Sequence, residues 1–158
     1  VYLRLSRAPA PVFYGDNRRF EIGKGIRVRE GNDVSIITTG TLLHNAIRAA
    51  LLLEQEGIQA AVVDMHTVKP IDQNLILECA EQTGAIVTVE EHSIYGGLGS
   101  AVAEVLAERC PVPMERVGAV DFAESGDYGQ LMEKYGYGPE SIALRCRAVM
   151  GRRQDNET

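Results

Sequence analysis

The chain lacks an excess of positive charge. Sixteen Lys and Arg stand against 22 Asp and Glu in 158 residues, a net charge of −6. It therefore does not offer the clustered cations that nucleic-acid phosphates require. It also lacks any apolar run approaching the ~20 residues that cross a bilayer, and no charged-then-apolar leader opens it. Nucleic acid and membrane are disfavoured as partners, and the expected location is the cytoplasm. Cysteine is scarce: Cys79, Cys110 and Cys146 are odd in number and far apart, which favours buried thiols over disulfides or a metal site. Histidine is equally scarce, and His44, His66 and His92 give no Ser-His-Asp order, Cys-His pair or metal-ligand spacing.

What is present suits a globular domain with a full core: 45% of the residues are hydrophobic and 24% charged. The organising stretch is 85–109. Ala85 to Val89 reads as a buried strand, Glu90 to Ser93 as its polar end, Gly96-Gly97-Leu98-Gly99 as a loop, and about 99–109 as an apolar-striped helix. Such strand-loop-helix units build parallel α/β sheets, whose carboxyl edge is where ligands and partners bind.

Taken in order, Val1 to Ser6 alternates apolar and polar like a half-buried strand with nothing before it to pair with, so the chain is expected to be cut from something longer. Arg7-Ala8-Pro9-Ala10-Pro11-Val12 follows as an extended linker, because each proline fixes its own φ and restricts the residue before it. Strands over 26–29 and 34–38 flank the turn Glu30-Gly31-Asn32-Asp33 and are expected to pair antiparallel, giving the sheet one antiparallel edge. A helix follows over about 42–55, with Leu43, Ile47, Ala50 and Leu51 on one face. Next come a parallel strand over 60–64 and a helix capped by Asp72 that runs to about Thr83. A strand over 114–118, a short helix over 128–134 and a last helix from Pro139 to about Met150 complete the series. The domain boundaries expected are 1–18 for the end of a preceding domain plus linker, 19–151 for the α/β domain, and 152–158 for a flexible tail.

Two readings of the edge compete. Glycines 96, 97 and 99 before a helix could let backbone amides cradle an anion. The dinucleotide pattern begun at Gly97, however, meets Val102 where its third glycine belongs, and no phosphate-loop Gly-Lys-Ser/Thr exists, so close packing of the helix on the sheet is preferred. Glu90, Glu91 and His92 are residue types used for proton transfer. Adjacent strand residues point to opposite faces, so Glu90 and Glu91 do not form an acid–base pair while the strand lasts. A subunit contact is at least as good a reading, and no self-contained catalytic constellation is visible.

Three segments together resemble the C-terminal domain of the transketolase family of thiamine diphosphate enzymes: Val-Tyr-Leu-Arg-Leu-Ser-Arg at 1–7, Gly-Lys-Gly-Ile-Arg-Val-Arg-Glu-Gly-Asn-Asp-Val-Ser-Ile-Ile-Thr-Thr-Gly at 23–40, and Val-Glu-Glu-His-Ser-Ile-Tyr-Gly-Gly-Leu-Gly-Ser-Ala-Val at 89–102. The resemblance covers nearly the whole chain, including Asp64 and Lys69-Pro70-Ile71-Asp72. It implies a three-layer αβα domain with a five-stranded, mostly parallel sheet and one antiparallel edge strand. It also implies that thiamine diphosphate and Mg²⁺ sit in the other domains, with no cofactor and no catalytic residue in this chain. Residues 1–7 would be the closing strand of the pyrimidine-binding domain, and Arg7 matches the arginine with which the family's transketolases grip a sugar phosphate, a task suited to a guanidinium. The partners implied are the remaining transketolase domains or an N-terminal-section subunit, in a homodimer or heterotetramer. Glu91, His92, Gly96, Gly97 and Gly99 would face that neighbour. Glu91-His92 resembles the split transketolases more than 1-deoxyxylulose-5-phosphate synthase or the β subunits of 2-oxoacid dehydrogenases, which tend to glycine where His92 stands. A non-catalytic docking module is the alternative of a different class.

Overall fold

The computed structural model describes residues 1–6 and 9–155. In chain order the elements are β1 (Ile26–Arg29), β2 (Val34–Thr38), α1 (Leu43–Gln55), β3 (Ala60–Asp64), α2 (Gln73–Thr83), β4 (Ile86–Ser93), α3 (Leu98–Arg109), β5 (Met114–Ala119), α4 (Tyr128–Lys134) and α5 (Pro139–Asp155). They build a five-stranded sheet in the order β1-β3-β2-β4-β5. Strands β2 to β5 are parallel and β1 is antiparallel. Every residue of β2 and β3 is buried, as expected of strands covered on both faces.

The antiparallel edge has a different neighbour from the one expected. β1 pairs with β3, Ile26 opposite Asp64, and not with β2. The connection between β1 and β2 instead crosses the start of β3. Asp33 N–H donates to Gln59 O (3.0 Å) while Asp33 Oδ2 accepts from Gln59 N–H (2.6 Å). Gly31 lies on the β3 backbone so closely that a Cβ there would come within 2.3 Å of Ala60 C and Ala61 N. Four residues are enough to step over the intervening strand, a span of two strand spacings or about 10 Å.

Helices cover both faces, giving three layers. α1 and α5 pack with Val34, Ile36, Val62, Val87 and Val89. α2 and α3 pack with Ile37, Val63 and Ile86 on the opposite face. The buried stripe of α1 is Leu43, Ala46, Ala49, Ala50 and Leu53. It is rotated from the expected face, since Leu51 is 44% exposed and Ile47 only partly buried. Asp72 caps α2 by accepting from Leu75 N–H (3.2 Å), and Gly84 ends it at φ 62°, a left-handed conformation that suits glycine. Asp127 caps α4 in the same way, from Gln130 N–H (3.1 Å).

One other expectation is corrected. α5 continues past Met150 to Asp155, so residues 152–155 are helical and not a loose tail. Arg152 donates to Met114 O (2.8 Å) and Arg153 to Thr83 O (2.7 Å), and both cations complement the negative end of the helix. Residues 1–6 are exposed and form no strand with the rest of this chain; the expectation that they close a neighbouring domain's sheet concerns contacts outside it. Arg7, Ala8 and residues 156–158 lie outside the described residues. Cys79 and Cys146 are buried and Cys110 partly so. Burial raises the Cys79 thiol and pushes Cys146 up to about 12.

Candidate functional site

Parallel pairing of β2 to β5 gathers their carboxyl ends on one edge, together with the start of antiparallel β1. β4 reaches furthest. It runs to Ser93, four residues beyond the expected end of its buried run, because Ser93 pairs with Ala119 and Ile94 N–H donates to Ala119 O (2.9 Å).

The alternation along β4 separates the two glutamates. Glu90 continues the Ile86–Thr88 side, toward α3, and is 2% exposed. Its carboxylate accepts Leu98 N–H at Oε2 (2.7 Å) and Gly99 N–H at Oε1 (2.8 Å). These amides open α3, so an acidic side chain eight residues upstream satisfies orphan donors and complements the helix dipole. Glu91 continues the Val87–Val89 side and accepts from Thr41 Oγ1 (2.8 Å). Its carbonyl accepts from Arg4 Nη2 (2.8 Å), bringing the amino-terminal arm to this edge. Glu90 and Glu91 thus make separate contacts on opposite faces.

The three glycines have different reasons, and only Gly97 abuts the same carboxylate. A Cβ on Gly97 would lie 2.0 Å from Glu90 Oε2, and one on Gly99 would lie 2.8 Å from Thr88 Oγ1. Gly96 has φ 74°, and its N–H donates to Ser100 Oγ (2.9 Å). His92 is more exposed. Its Nδ1 donates to Ser93 O (2.9 Å) and stands 3.8 Å from Glu90 Oε2. Of the candidate residues, Glu91, His92, Gly96, Gly97 and Gly99 share this edge.

A thiamine diphosphate does not fit here. The Leu98 and Gly99 amides that would receive its phosphates already hold Glu90, whose charge would repel them. Among the described residues no group of three His, Cys, Asp or Glu is arranged to hold a metal ion. A cleft of about 390 Å³ lies between the loop after β3 and α3. Its wall mixes Lys69 and Arg109 with Glu104 and Glu108, so it presents no single sign of charge to a substrate.

A second cluster stands at the exit of β3, built by a segment whose sequence reads as a plain linker. Tyr14 Oη donates to Asp64 Oδ2 (2.8 Å), and Asp64 is only 5% exposed. Phe20 meets both Tyr14 and His66 edge to face, and Arg18 sits over the Tyr14 ring. Burial raises the Asp64 carboxyl above its usual value, with the Tyr14 hydrogen bond opposing it. Burial and the Asp64 bond raise the Tyr14 phenol. Alternating polar residues in a Pro-rich stretch give no signal for this. The signal that could have been used is the aromatic spacing of Phe13, Tyr14 and Phe20.

Fold and edge together define the class first: a three-layer α/β domain whose carboxyl edge is tied by its own carboxylates. The profile described as "Transketolase, C-terminal domain" matches residues 23–142. The chain belongs to the transketolase C-terminal domain family. It is 46% identical over 154 residues to the 6-deoxy-6-sulfo-D-fructose transketolase subunit SqwH of a Clostridium species, covering 97% of this chain and 48% of that protein. To an apulose-4-phosphate transketolase subunit of Phocaeicola vulgatus it is 42% identical over 152 residues, covering 95% and 47%. The chain therefore spans about half the length of these relatives. Among solved structures, a split-gene transketolase described as an inactive β4 tetramer superposes with a TM-score of 0.89 at 44% identity, covering 92% of this chain and 48% of that one. A transketolase from Pichia stipitis, at 20% identity and a TM-score of 0.65 over 84% of this chain and 19% of that one, shares the fold.

Proposed function

We propose that this chain is the C-terminal part of a thiamine diphosphate-dependent transketolase. In the intact enzyme it supports reversible transfer of a two-carbon ketol group between a ketose phosphate and an aldose phosphate. The observation that carries this reading is similarity to transketolase subunits along 97% of the chain. The geometry agrees in kind: Glu90 holds the start of α3 and Glu91 holds Thr41, so both act as structural ties. The carbanion chemistry belongs to the cofactor, which lies with its magnesium in the other domains.

In this reading Arg7 grips the substrate phosphate, and the edge bearing Glu91, His92, Gly96, Gly97 and Gly99 faces the neighbouring domain or subunit. The other domains come from the same polypeptide or from an N-terminal-section subunit, in a homodimer or heterotetramer acting in the cytoplasm. Relatives named as subunits, and one described as a tetramer, support a multi-chain enzyme. A second reading, a 1-deoxy-D-xylulose-5-phosphate synthase section, has 44% identity over 130 residues to that enzyme from Heliobacterium modesticaldum in its favour.

Supplying thiamine diphosphate, Mg²⁺ and the missing domains or subunit, and measuring ketol transfer against condensation of pyruvate with an aldose phosphate, separates the two. Ketol transfer from the completed enzyme and none from these 158 residues is the expected result. Stoichiometric cofactor binding by this chain alone overturns the reading.

A further inference from the structure

Two ties bracket the stretch of chain that carries Arg7. The later one joins Tyr14 to Asp64 at the end of β3. The earlier one is Arg4, whose Nη2 donates to the carbonyl of Glu91 near the end of β4 (2.8 Å), 87 residues away in sequence. Among the described residues this is the hydrogen bond that joins residues 1–6 to the α/β domain, and Tyr2, Leu3 and Leu5 around it are 75–88% exposed.

The acceptor is held firmly. It is a backbone carbonyl, so no side-chain rotation carries it away, and a guanidinium makes a charge-assisted bond to it. The Glu91 side chain is fixed in turn by Thr41 Oγ1 (2.8 Å), and Ser93, two residues on, is paired with Ala119 of β5. Burial raises the Tyr137 phenol, Glu91 and Glu90 raise it further, and Arg4 opposes them. The guanidinium, both carboxylates and the phenol therefore share one corner of the edge.

Arg7 follows Arg4 by three residues, at most about 10 Å of extended chain. It precedes Tyr14 by seven, with Pro9 and Pro11 between them. Of the two ties, Arg4 restricts it more closely. Misplacing a substrate-holding group by about 1 Å can cost about 100-fold.

We infer that Arg4 is a positioning residue for recognition of the substrate's phosphate: its bond to the Glu91 carbonyl fixes the segment from which Arg7 reaches that group. This rests on the transketolase reading and on its assignment of Arg7. Arg4 acts through Arg7 and makes no substrate contact of its own.

The test is made on the complete enzyme, with the missing domains or subunit, thiamine diphosphate and Mg²⁺ supplied. Hydroxypyruvate, a ketol donor without phosphate, is paired with ribose 5-phosphate or with ribose as acceptor. Arg4→Met is expected to raise KM for ribose 5-phosphate about tenfold, with kcat and both constants for ribose within about twofold of the parent. Arg4→Lys keeps the charge but loses the planar fork and should fall between. In an Arg7→Met background, Arg4→Met should add nothing, as for two residues that act as a unit. An unchanged KM, an equal loss on both acceptors, or a full further loss in the Arg7→Met background each overturns the inference. Arg7→Met alone reports on the assignment beneath it. If that variant leaves the preference for the phosphorylated sugar intact, the Arg7 assignment fails and the inference with it; an effect of Arg7→Met without one of Arg4→Met removes the inference alone. Absence of ketol transfer by the completed parent enzyme refutes the transketolase reading and everything resting on it.

Discussion

Two strands of the sheet, β3 and β4, each bring a buried carboxylate to the carboxyl edge, and the two are satisfied by different means. Glu90 at the end of β4 accepts two backbone N–H groups at the positive end of α3. Asp64 at the end of β3 has the Tyr14 hydroxyl, delivered by a segment 50 residues earlier. Glu90 joins elements that are consecutive in the chain and is part of how the strand-to-helix turn is built. Asp64 ties an incoming segment to a finished sheet. Burial alone does not determine what a carboxylate contributes; the donors it faces do.

The sharpest way to break this comparison is at Glu90. Glu90→Ala leaves the Leu98 and Gly99 amides without their acceptor and is expected to cost about 2–4 kcal/mol, read by urea unfolding. Gly97→Ala drives a methyl into the same carboxylate and is expected to cost about 1–3 kcal/mol as overpacking. The double variant should cost less than the sum, because removing Glu90 also removes the clash; strict additivity would show that Gly97 does not abut it. Tyr14→Phe at the other carboxylate is expected to cost about 1–2 kcal/mol, with the amino-terminal segment becoming more sensitive to protease before the domain unfolds.

Acidity gives a finer contrast. The Asp64 carboxyl is raised in the folded state above its ordinary 3.8, so the fold binds the extra proton more readily than the unfolded chain does. The associated stability is present below 3.8 and is lost as pH rises through the folded value. Asp64→Asn keeps an acceptor for Tyr14 and removes the charge. Its stability relative to the parent should therefore rise between pH 3.5 and pH 7, measured by unfolding at each pH; a flat difference contradicts the assignment. The smallest effect belongs to Thr41→Val, which removes one partly exposed hydrogen bond to Glu91 and should cost about 0.5–1 kcal/mol.

The chain's order of strands and helices was legible because Val- and Ile-rich runs alternate with striped segments that end at Gly57, Gly84 and the Pro111–Pro113 stretch. α4 falls on the expected residues, and the separation of Glu90 from Glu91 follows from the two-residue period of a strand. The partner of β1 was not legible. A four-residue turn reads as a hairpin whether or not a third strand lies between, and the close approach of Gly31 to Ala60 and the Asp33–Gln59 hydrogen bonds that distinguish the two cases are contacts between segments far apart in the chain. The stripe of α1 was misplaced because its core positions are small: Ala46, Ala49 and Ala50 are buried while Leu51 faces out. Glu90's role required knowing that β4 and the first turn of α3 converge, although its spacing from two glycines and a helix start was there to be read. The Tyr14–Asp64 tie joins residues 50 apart, and local pattern says nothing at that range.

The crossing of the β1–β2 connection over β3 also constrains how the molecule can assemble. The first two strands of the finished sheet do not pair with each other as a local ribbon; β3, which follows α1 in the chain, lies between them. Only there is Asp64 in the place where Tyr14 can reach it. Attachment of the amino-terminal segment through Tyr14 thus depends on β3 lying in its place between β1 and β2.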